Sequence, residues 1–321
     1  MTQALTVLLV LGIAMPHLLP LSTASPAVAA TIWLSALCLR AMTVLYVALY
    51  LVLFLPNTKV FSAVTHWCWH TVLPLLTTHL GLDGHSIGDA AVIVPAFVLA
   101  FSLISVSVGV VRAARSVWGL LARSSVGLGP GGSLIVGGAD VLLAAAGITR
   151  PRVFVSAGAL TTLDDEELAA GLDHERAHIA RRHRFILVFA ELCRSLARFL
   201  PGTRTTVDEL HFHLERDADR WALARRHDPY ALASAICKAG ASRATVGPGL
   251  VLLSGHGQAT RRVDELVELG ASKPGRAFRR GLACGATVMA CFVVVLAGSV
   301  PATVAAASAQ PKLEQPRHCK T

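Results

Sequence analysis

The chain has 321 residues, of which 54% are hydrophobic and only 15% are charged. Roughly a quarter of the residues in a soluble domain are charged, so this composition indicates a membrane protein. The net charge is +9, and almost all of it lies between residues 112 and 280, which argues against a basic tail that binds nucleic acid. Seven scattered cysteines without a CxxC pair exclude a disulfide scaffold and a cysteine zinc site.

Four apolar stretches approach the length of about 20 residues that a membrane-spanning helix requires. They are residues 4–21, 37–55, 90–111 and 282–307. Small residues follow the first stretch as they follow a signal peptide, but no basic residue precedes it, which favours a retained span. Arg40 lies near the start of the second stretch, and we expect its side chain to extend to the membrane interface.

Basic residues follow the third apolar stretch and precede the fourth. The positive-inside rule therefore places residues 112–281 in the cytoplasm and the loop at 56–89 outside. Both termini are then outside, and the protein is predicted to be a multi-pass protein of the cell membrane. The predicted regions are three spans in 1–111, a cytoplasmic domain in 112–281, a fourth span in 282–307 and a short tail in 308–321.

The region between the third and fourth spans has the pattern of an α+β domain. After the linker "GLGPGG", the segments "SLIVGG" and "RVFVSAG" are β-branched, apolar and Gly-terminated, which predicts two strands. Asp164 and Glu167 then form the pattern of a capping box at the start of a helix. Amphipathic helices are predicted at 185–200 and 207–226.

The stretch "LDHERAHIARRH", residues 172–183, places two histidines four residues apart. Residues four apart lie on one face of a helix, so His174 and His178 can bind one metal ion. Glu175 is adjacent, and its carboxylate can reach a water on that ion without being a ligand. This is the HExxH arrangement of zinc peptidases, in which the glutamate is the general base. The sequence therefore predicts one Zn²⁺ per chain.

A catalytic zinc ion needs a third protein ligand, and "HLERDADRWAL" supplies a candidate. Glu215 and Asp219 are four apart on the predicted third helix. Glu215 is predicted to bind the metal and Asp219 to support a ligand imidazole from behind, unless both belong to an ordinary solvated acidic face. His211 is an alternative third ligand or a donor to a reaction intermediate. His183 is predicted to lie in a solvated or headgroup-facing basic patch.

Two segments carry a resemblance to known membrane metallopeptidases. "RPRVFVSAGALTTLDDEELAAGLDHERAH", followed by "LERDAD" about 40 residues later, resembles the HtpX heat-shock and CAAX-prenyl-protease type. It is more similar still to the BlaR/MecR type, the beta-lactam-sensing signal transducers and their shorter relatives. The resemblance covers residues 130–226, and the layout of three spans before the domain and one after it is also similar.

This resemblance implies a zincin-like metallopeptidase domain with zinc bound by His174, His178 and Glu215 and with Glu175 as the catalyst. The predicted fold is a mainly α membrane protein with four transmembrane helices and that α+β domain between the third and fourth. Only a short tail follows the last span, so we expect no penicillin-binding sensor domain.

Substrates of zinc peptidases commonly pair with an edge strand beside the active-site helix. We therefore predict that the strand at 152–156 binds the substrate main chain through Val153, Val155 and Ser156. The predicted reaction is the hydrolysis of internal peptide bonds, in regulatory or stress proteolysis. The predicted partners are the lipid bilayer and a protein substrate, either a transcriptional repressor or a membrane protein.

Two other functions compete with the peptidase. A catalytically silent membrane sensor or scaffold could keep the same fold, although the presence of Glu175 favours the enzyme. The outer loop also contains "HWCWH", in which His66, Cys68 and His70 have metal-ligand spacing and would suit a metal transporter. An interfacial helix with Trp and His at the headgroup level is the simpler interpretation of that segment.

Overall fold

The computed structural model describes residues 2–53, 127–147, 150–242, 258–268 and 276–308, with scattered positions between 97 and 111. Several predicted features lie outside these residues. They are the outer loop with His66, Cys68 and His70, most of the third apolar stretch, the segment before the first strand and nearly all of the tail.

The described elements follow one another as a helical pair, a small sheet and a series of helices. In chain order they are α1 (Thr2–Leu18), α2 (Pro26–Leu53), β1 (Gly127–Leu128), β2 (Leu134–Val136), β3 (Leu143–Ala146), β4 (Arg152–Ser156), α3 (Ala157–Thr162), α4 (Asp165–Ala180), α5 (His183–Leu196), α6 (Thr203–Leu223), α7 (Pro229–Ser242), α8 (Ala259–Val267) and α9 (Arg276–Ser308).

The four described strands form one sheet in the order β1-β2-β4-β3. β4 pairs in parallel with β2 and antiparallel with β3, with Ala145 opposite Val153 in the second pair. The two predicted strands are confirmed as β2 and β4. β3 was not predicted, because its sequence "LAAA" lacks the β-branched residues that indicate a strand.

The predicted capping box at the start of α4 is confirmed. The Asp164 carboxylate accepts hydrogen bonds from the main-chain N–H groups of Glu166 and Glu167, and the Glu167 carboxylate accepts one from the N–H of Asp164. Glu167 also pairs with Lys238 of α7 at 2.6 Å. These contacts fix the start of the helix that carries the two histidines.

Two described helices are long and apolar enough to cross a membrane, within residues Pro26–Leu49 of α2 and Arg279–Ala306 of α9. They correspond to the second and fourth predicted spans. α1 has only 17 residues, and the third stretch lies mostly outside the described part of the chain, so the four-span layout stays a prediction.

The second predicted span differs from α2 in its start, and this changes the interpretation of Arg40. α2 begins at Pro26, so Arg40 lies in the middle of the helix and is only 2% exposed. Its guanidinium lies 2.9 Å from Nε2 of His17 and donates to the carbonyl of Ile13. The expectation that Arg40 extends to the membrane interface is wrong, because α1 covers it.

The two candidate spans run parallel to each other. The start of α2 at Ser25 and Val28 lies beside Arg280 and Ala283 near the start of α9. Further along, the Tyr46 hydroxyl of α2 donates to the carbonyl of Leu296 at 2.7 Å. Both helices therefore begin at the same face of the protein.

α2 also packs against the domain that follows the sheet. Leu37 and Leu39 of α2 share one buried cluster with Leu210 and Leu214 of α6. The two helices run antiparallel. Gly202, just before α6, lies next to Arg40 in the middle of α2, so close that a Cβ there would be 3.1 Å from the guanidinium. Further along α6, Arg216 donates to the carbonyl of Ser22, which precedes α2, at 2.7 Å. α6 thus lies directly on the first half of a candidate membrane helix.

Candidate metal centre

The three predicted metal ligands lie together where α4 crosses α6. One ligand atom from each of His174, His178 and Glu215 lies within 4.8 Å of the others, and no other such group of three occurs among the described residues. The two Nε2 atoms are 3.2 Å apart. The Glu215 carboxylate lies 3.4 Å from the Nε2 of each histidine.

The three side chains are close enough to bind one metal ion. Oε2 of Glu215 lies 3.4 Å from Nε2 of His174, and Oε1 of Glu215 lies 3.4 Å from Nε2 of His178, so the carboxylate faces both imidazoles. Two imidazoles and one carboxylate are also a common ligand set of catalytic zinc, which keeps its fourth position for water or substrate.

Each ligand imidazole has a neighbour at its other nitrogen. Nδ1 of His174 lies 2.9 Å from an Asp219 oxygen, as expected for Asp219, although the angle is poor for a hydrogen bond. Nδ1 of His178 lies 3.0 Å from Nδ1 of His183, and Nε2 of His183 lies 3.4 Å from Asp217. Such partners orient the Nε2 atoms toward a metal.

The prediction that His183 lies in a solvated or headgroup-facing patch is wrong. His183 is 2% exposed, because the chain turns sharply at Arg182, which has a left-handed φ of 56°. The turn folds the first residue of α5 back against His178. Spacing within one helix cannot reveal this contact, since the two histidines belong to different helices.

The two ligand histidines differ strongly in proton affinity. Burial disfavours a charged His174, but its contacts with Asp219 and Glu215 outweigh burial and raise the pKa of His174 to about 9. Burial lowers the pKa of His178 to about 3, although the Glu215 charge opposes this shift. A metal ion at this site would therefore displace a proton from His174.

Arg262 of α8 is a member of the site that the sequence analysis missed. Its guanidinium lies 2.7 Å from Glu215 and within 2.6–2.9 Å of both Asp219 oxygens. Burial alone would raise the pKa values of both carboxyls, but the Arg262 charge and the histidine contacts keep them low. No spacing rule connects Arg262 with residues more than 40 positions earlier, so no sequence signal could have identified it.

Glu175 lies beside the sheet rather than among the ligand atoms. Its carboxylate accepts a hydrogen bond of 2.7 Å from the main-chain N–H of Ala145 in β3. Glu175 is half-buried, and its neighbours on α4 are the two ligand histidines. Glu175 is therefore not one of the grouped ligand residues, and its role as a base stays a prediction.

The predicted substrate strand is not an edge strand. β4 lies between β2 and β3, so its main-chain N–H and C=O groups form hydrogen bonds to strands on both sides. Val153, Val155 and Ser156 are buried. Ser156 instead links the sheet to α3, because its hydroxyl accepts from the N–H of Ala159 and donates to the carbonyl of Asp140. Strand addition at β4 is therefore excluded, and β3 is the outer strand beside Glu175.

The alternative third ligand, His211, lies outside the group of three ligand atoms. It is half-buried one turn before Glu215, and burial lowers its pKa. A neutral imidazole near the site is still suited to the other role that the sequence suggested, a hydrogen bond to a reaction intermediate.

Comparison with known families supports a metallopeptidase. Residues 139–209 match the model of peptidase family M48, whose members are metal-dependent and typically use zinc. The match covers β3, β4 and the helix with His174, Glu175 and His178, but it ends before Glu215 and spans less than a quarter of the chain. No curated protein and no solved structure matches the chain significantly.

Zinc affinity should rise with pH up to about 9. Below that value the folded apoprotein holds a proton on His174 that zinc must displace, so the affinity should increase about tenfold per pH unit. His178 is already neutral over this range. Chelator competition between pH 6 and 9 would measure the slope. Asp219→Asn should flatten it by lowering the pKa of His174, and a flat wild-type profile would contradict the assignment.

Replacing His183 should weaken zinc binding, although none of the predicted metal ligands is changed. His183→Ala removes the neighbour of His178 Nδ1, and loss of such a partner typically costs about 10- to 100-fold in metal affinity. His227→Ala is the matched control, since His227 contacts Asp173 instead. Chelator competition gives the affinities, and thermal unfolding checks that both variants fold. Equal affinities in the two variants would disprove the orienting role.

Proposed function

We propose that this protein is an integral membrane zinc-dependent metalloendopeptidase that hydrolyses internal peptide bonds of a protein substrate. The observation that carries the proposal is the grouping of ligand atoms from His174, His178 and Glu215 within 4.8 Å of one another, with Glu175 next to His174 on the same helix. The match to peptidase family M48 over the helix with both histidines supports the same reaction class.

The residues of the site have separate tasks in this reaction. His174, His178 and Glu215 would hold one zinc ion, which when bound polarises a carbonyl and makes water a better nucleophile. Glu175 would accept the proton of the attacking water and pass it to the leaving amine. Asp219 and His183 keep the imidazoles in position, and Arg262 balances the charge of the carboxylates.

The outer edge of β3 is the proposed binding site for the substrate main chain. Ala144 pairs with Phe154 of β4, whereas the N–H of Ala145 points the other way, to Glu175. An extended peptide that added to this edge would place its main chain beside the proposed base. Such strand addition recognises the backbone, which suits a protease that cleaves within a protein chain.

The apolar helices and the distribution of charge support the proposed membrane placement. The parallel course of α2 and α9 is compatible with three spans before the domain and one after it. Basic residues before the last span favour a cytoplasmic domain with both termini outside. The substrate is then a cytoplasmic or membrane-proximal protein, and the BlaR/MecR resemblance favours a transcriptional repressor.

Glu175→Gln should abolish cleavage while leaving zinc binding intact. Loss of a general base typically lowers the rate by about 10²- to 10⁴-fold, and the metal ligands are unchanged. The purified protein with zinc is incubated with an unfolded test protein, and self-cleavage is followed in parallel. Glu166→Gln, the same change at an exposed position of the same helix, should cleave like wild type.

The outcomes of this experiment separate the candidate functions. Chelator-sensitive cleavage by wild type and Glu166→Gln alone supports the peptidase and the role of Glu175. Equal cleavage by the Glu175→Gln variant would reject that role. Zinc binding without cleavage of either substrate by any variant would favour the silent sensor or scaffold.

Ala145→Pro should lower activity by removing the outward N–H of β3. Proline is tolerated on edge strands. The Ala145 N–H donates to Glu175 in the structure, and a substrate strand would have to take over this donor. Its loss from both partners should reduce kcat/KM about tenfold. Ala145→Ser keeps the N–H and is the matched control. Peptide hydrolysis is measured together with zinc affinity, which should stay at the wild-type value. Unchanged kcat/KM in the proline variant would place the substrate elsewhere.

A further inference from the structure

A cleft of about 410 Å³ opens where α2 and α9 begin, on the side of the protein shared by both candidate spans. Its walls come from the segment that leads into α2 and from the second and third turns of α9. The lining residues are Ala24, Ser25, Val28, Arg279, Arg280, Leu282 and Ala283.

The cleft has two chemically different parts. Arg279 and Arg280 are exposed, and neither forms an ion pair with a carboxylate among the described residues. Ala24, Val28 and Leu282 give the rest of the wall an apolar character. The cleft therefore combines two guanidinium groups that can bind an anion with an apolar wall.

The positive charge extends beyond the cleft. Burial lowers the pKa of Arg220 on α6, and the charges of Arg216 and Arg279 act in the same direction, whereas Glu265 and Asp217 oppose them. The cleft also lies at the amino-terminal end of α2, whose helix dipole adds positive potential. Arg216 forms an ion pair with Glu265, whereas Arg279 and Arg280 pair with no carboxylate among the described residues.

The position of the cleft relative to the candidate spans brings it near lipid. The apolar stretches begin at Pro26 and at Arg279, which are within or next to the cleft. Beyond it, α9 presents Val288, Val294 and Val295 outward with 64%, 69% and 67% exposure. Such an apolar surface on a spanning helix is the surface that acyl chains contact.

We propose that this cleft is a binding site for one anionic phospholipid, with its phosphate on Arg279 and Arg280 and its acyl chains along Ala283 and the outer face of α9. Guanidinium groups bind phosphate oxygens through two hydrogen bonds at once, which makes arginine suited to such a headgroup. The proposal requires that the chain lies in a membrane, but it does not depend on peptidase activity.

The apolar walls distinguish a phospholipid from a free phosphate ion. An inorganic phosphate could contact only the two guanidinium groups and would make no use of the apolar part of the cleft at Val28 and Ala283. A phospholipid uses both parts of the cleft. Anionic lipids are also the species that basic residues attract at the cytoplasmic leaflet, where the charge distribution places this end of α9.

The test is a lipid titration of the full-length protein, delipidated in a neutral detergent and observed by native mass spectrometry. Phosphatidylglycerol and phosphatidylcholine are the two probes. Wild type should retain one phosphatidylglycerol in preference to phosphatidylcholine. In Arg279→Gln/Arg280→Gln the first phosphatidylglycerol should bind about 30-fold more weakly, since each basic residue near a membrane surface contributes about a factor of five.

Matched control variants distinguish a specific lipid site from general electrostatic attraction. Arg204→Gln/Arg226→Gln makes the same change of net charge at exposed positions away from the cleft and should bind like wild type. Ala283→Phe keeps both guanidinium groups but fills the apolar part, and it should also lose the retained lipid. Thermal unfolding in the same detergent checks the fold of each variant.

Three results would overturn the proposal. Equal weakening in both double arginine variants would show general electrostatic attraction. Displacement of the lipid by inorganic phosphate at the same molar concentration would show a simple anion site. Full lipid retention by a folded Ala283→Phe variant would show that the acyl chains do not use the cleft.

Discussion

The ion pairs of Arg262 with Glu215 and Asp219 are the interaction on which the rest of the site depends. A buried carboxylate loses much hydration energy and stays ionised only when opposite charge is close. Arg262 contacts both carboxylates and holds Glu215 opposite the two histidines. With Glu215 ionised, the site has the negative charge that a divalent cation needs. With Asp219 ionised, the imidazole of His174 has a fixed partner.

This charge balance involves elements from distant parts of the chain. Glu215 and Asp219 lie on α6, whose Leu210 and Leu214 pack against the apolar helix α2, while Arg262 lies on α8. The candidate metal centre and the first half of a candidate membrane helix therefore form one packed unit. A movement of α2 would shift α6 directly, because close-packed interiors transmit displacements.

Several parts of the site could be predicted from local patterns. His174, Glu175 and His178 follow from helical spacing, and Asp164 and Glu167 from the chemistry of a helix start. Glu215 and Asp219 follow from the same spacing and the need for a third ligand. His183 and Arg262 could not be predicted, since their partners belong to other helices. The substrate strand was predicted at β4 because substrates commonly pair with an edge strand beside the active-site helix. The apolar β-branched sequence of β4 instead fits a buried central strand.

By itself, the sequence determined those features that arise from neighbours along the chain. These are the apolar helices, the capped helix, the face shared by His174 and His178, and the presence of β2 and β4. Only the tertiary structure decided that β3 is the outer strand, that Arg40 is covered by α1, and that Arg262 neutralises the carboxylates. The physical reason is that periodicity and capping act over three or four residues, whereas strand order, burial and charge pairing depend on which distant segments pack together.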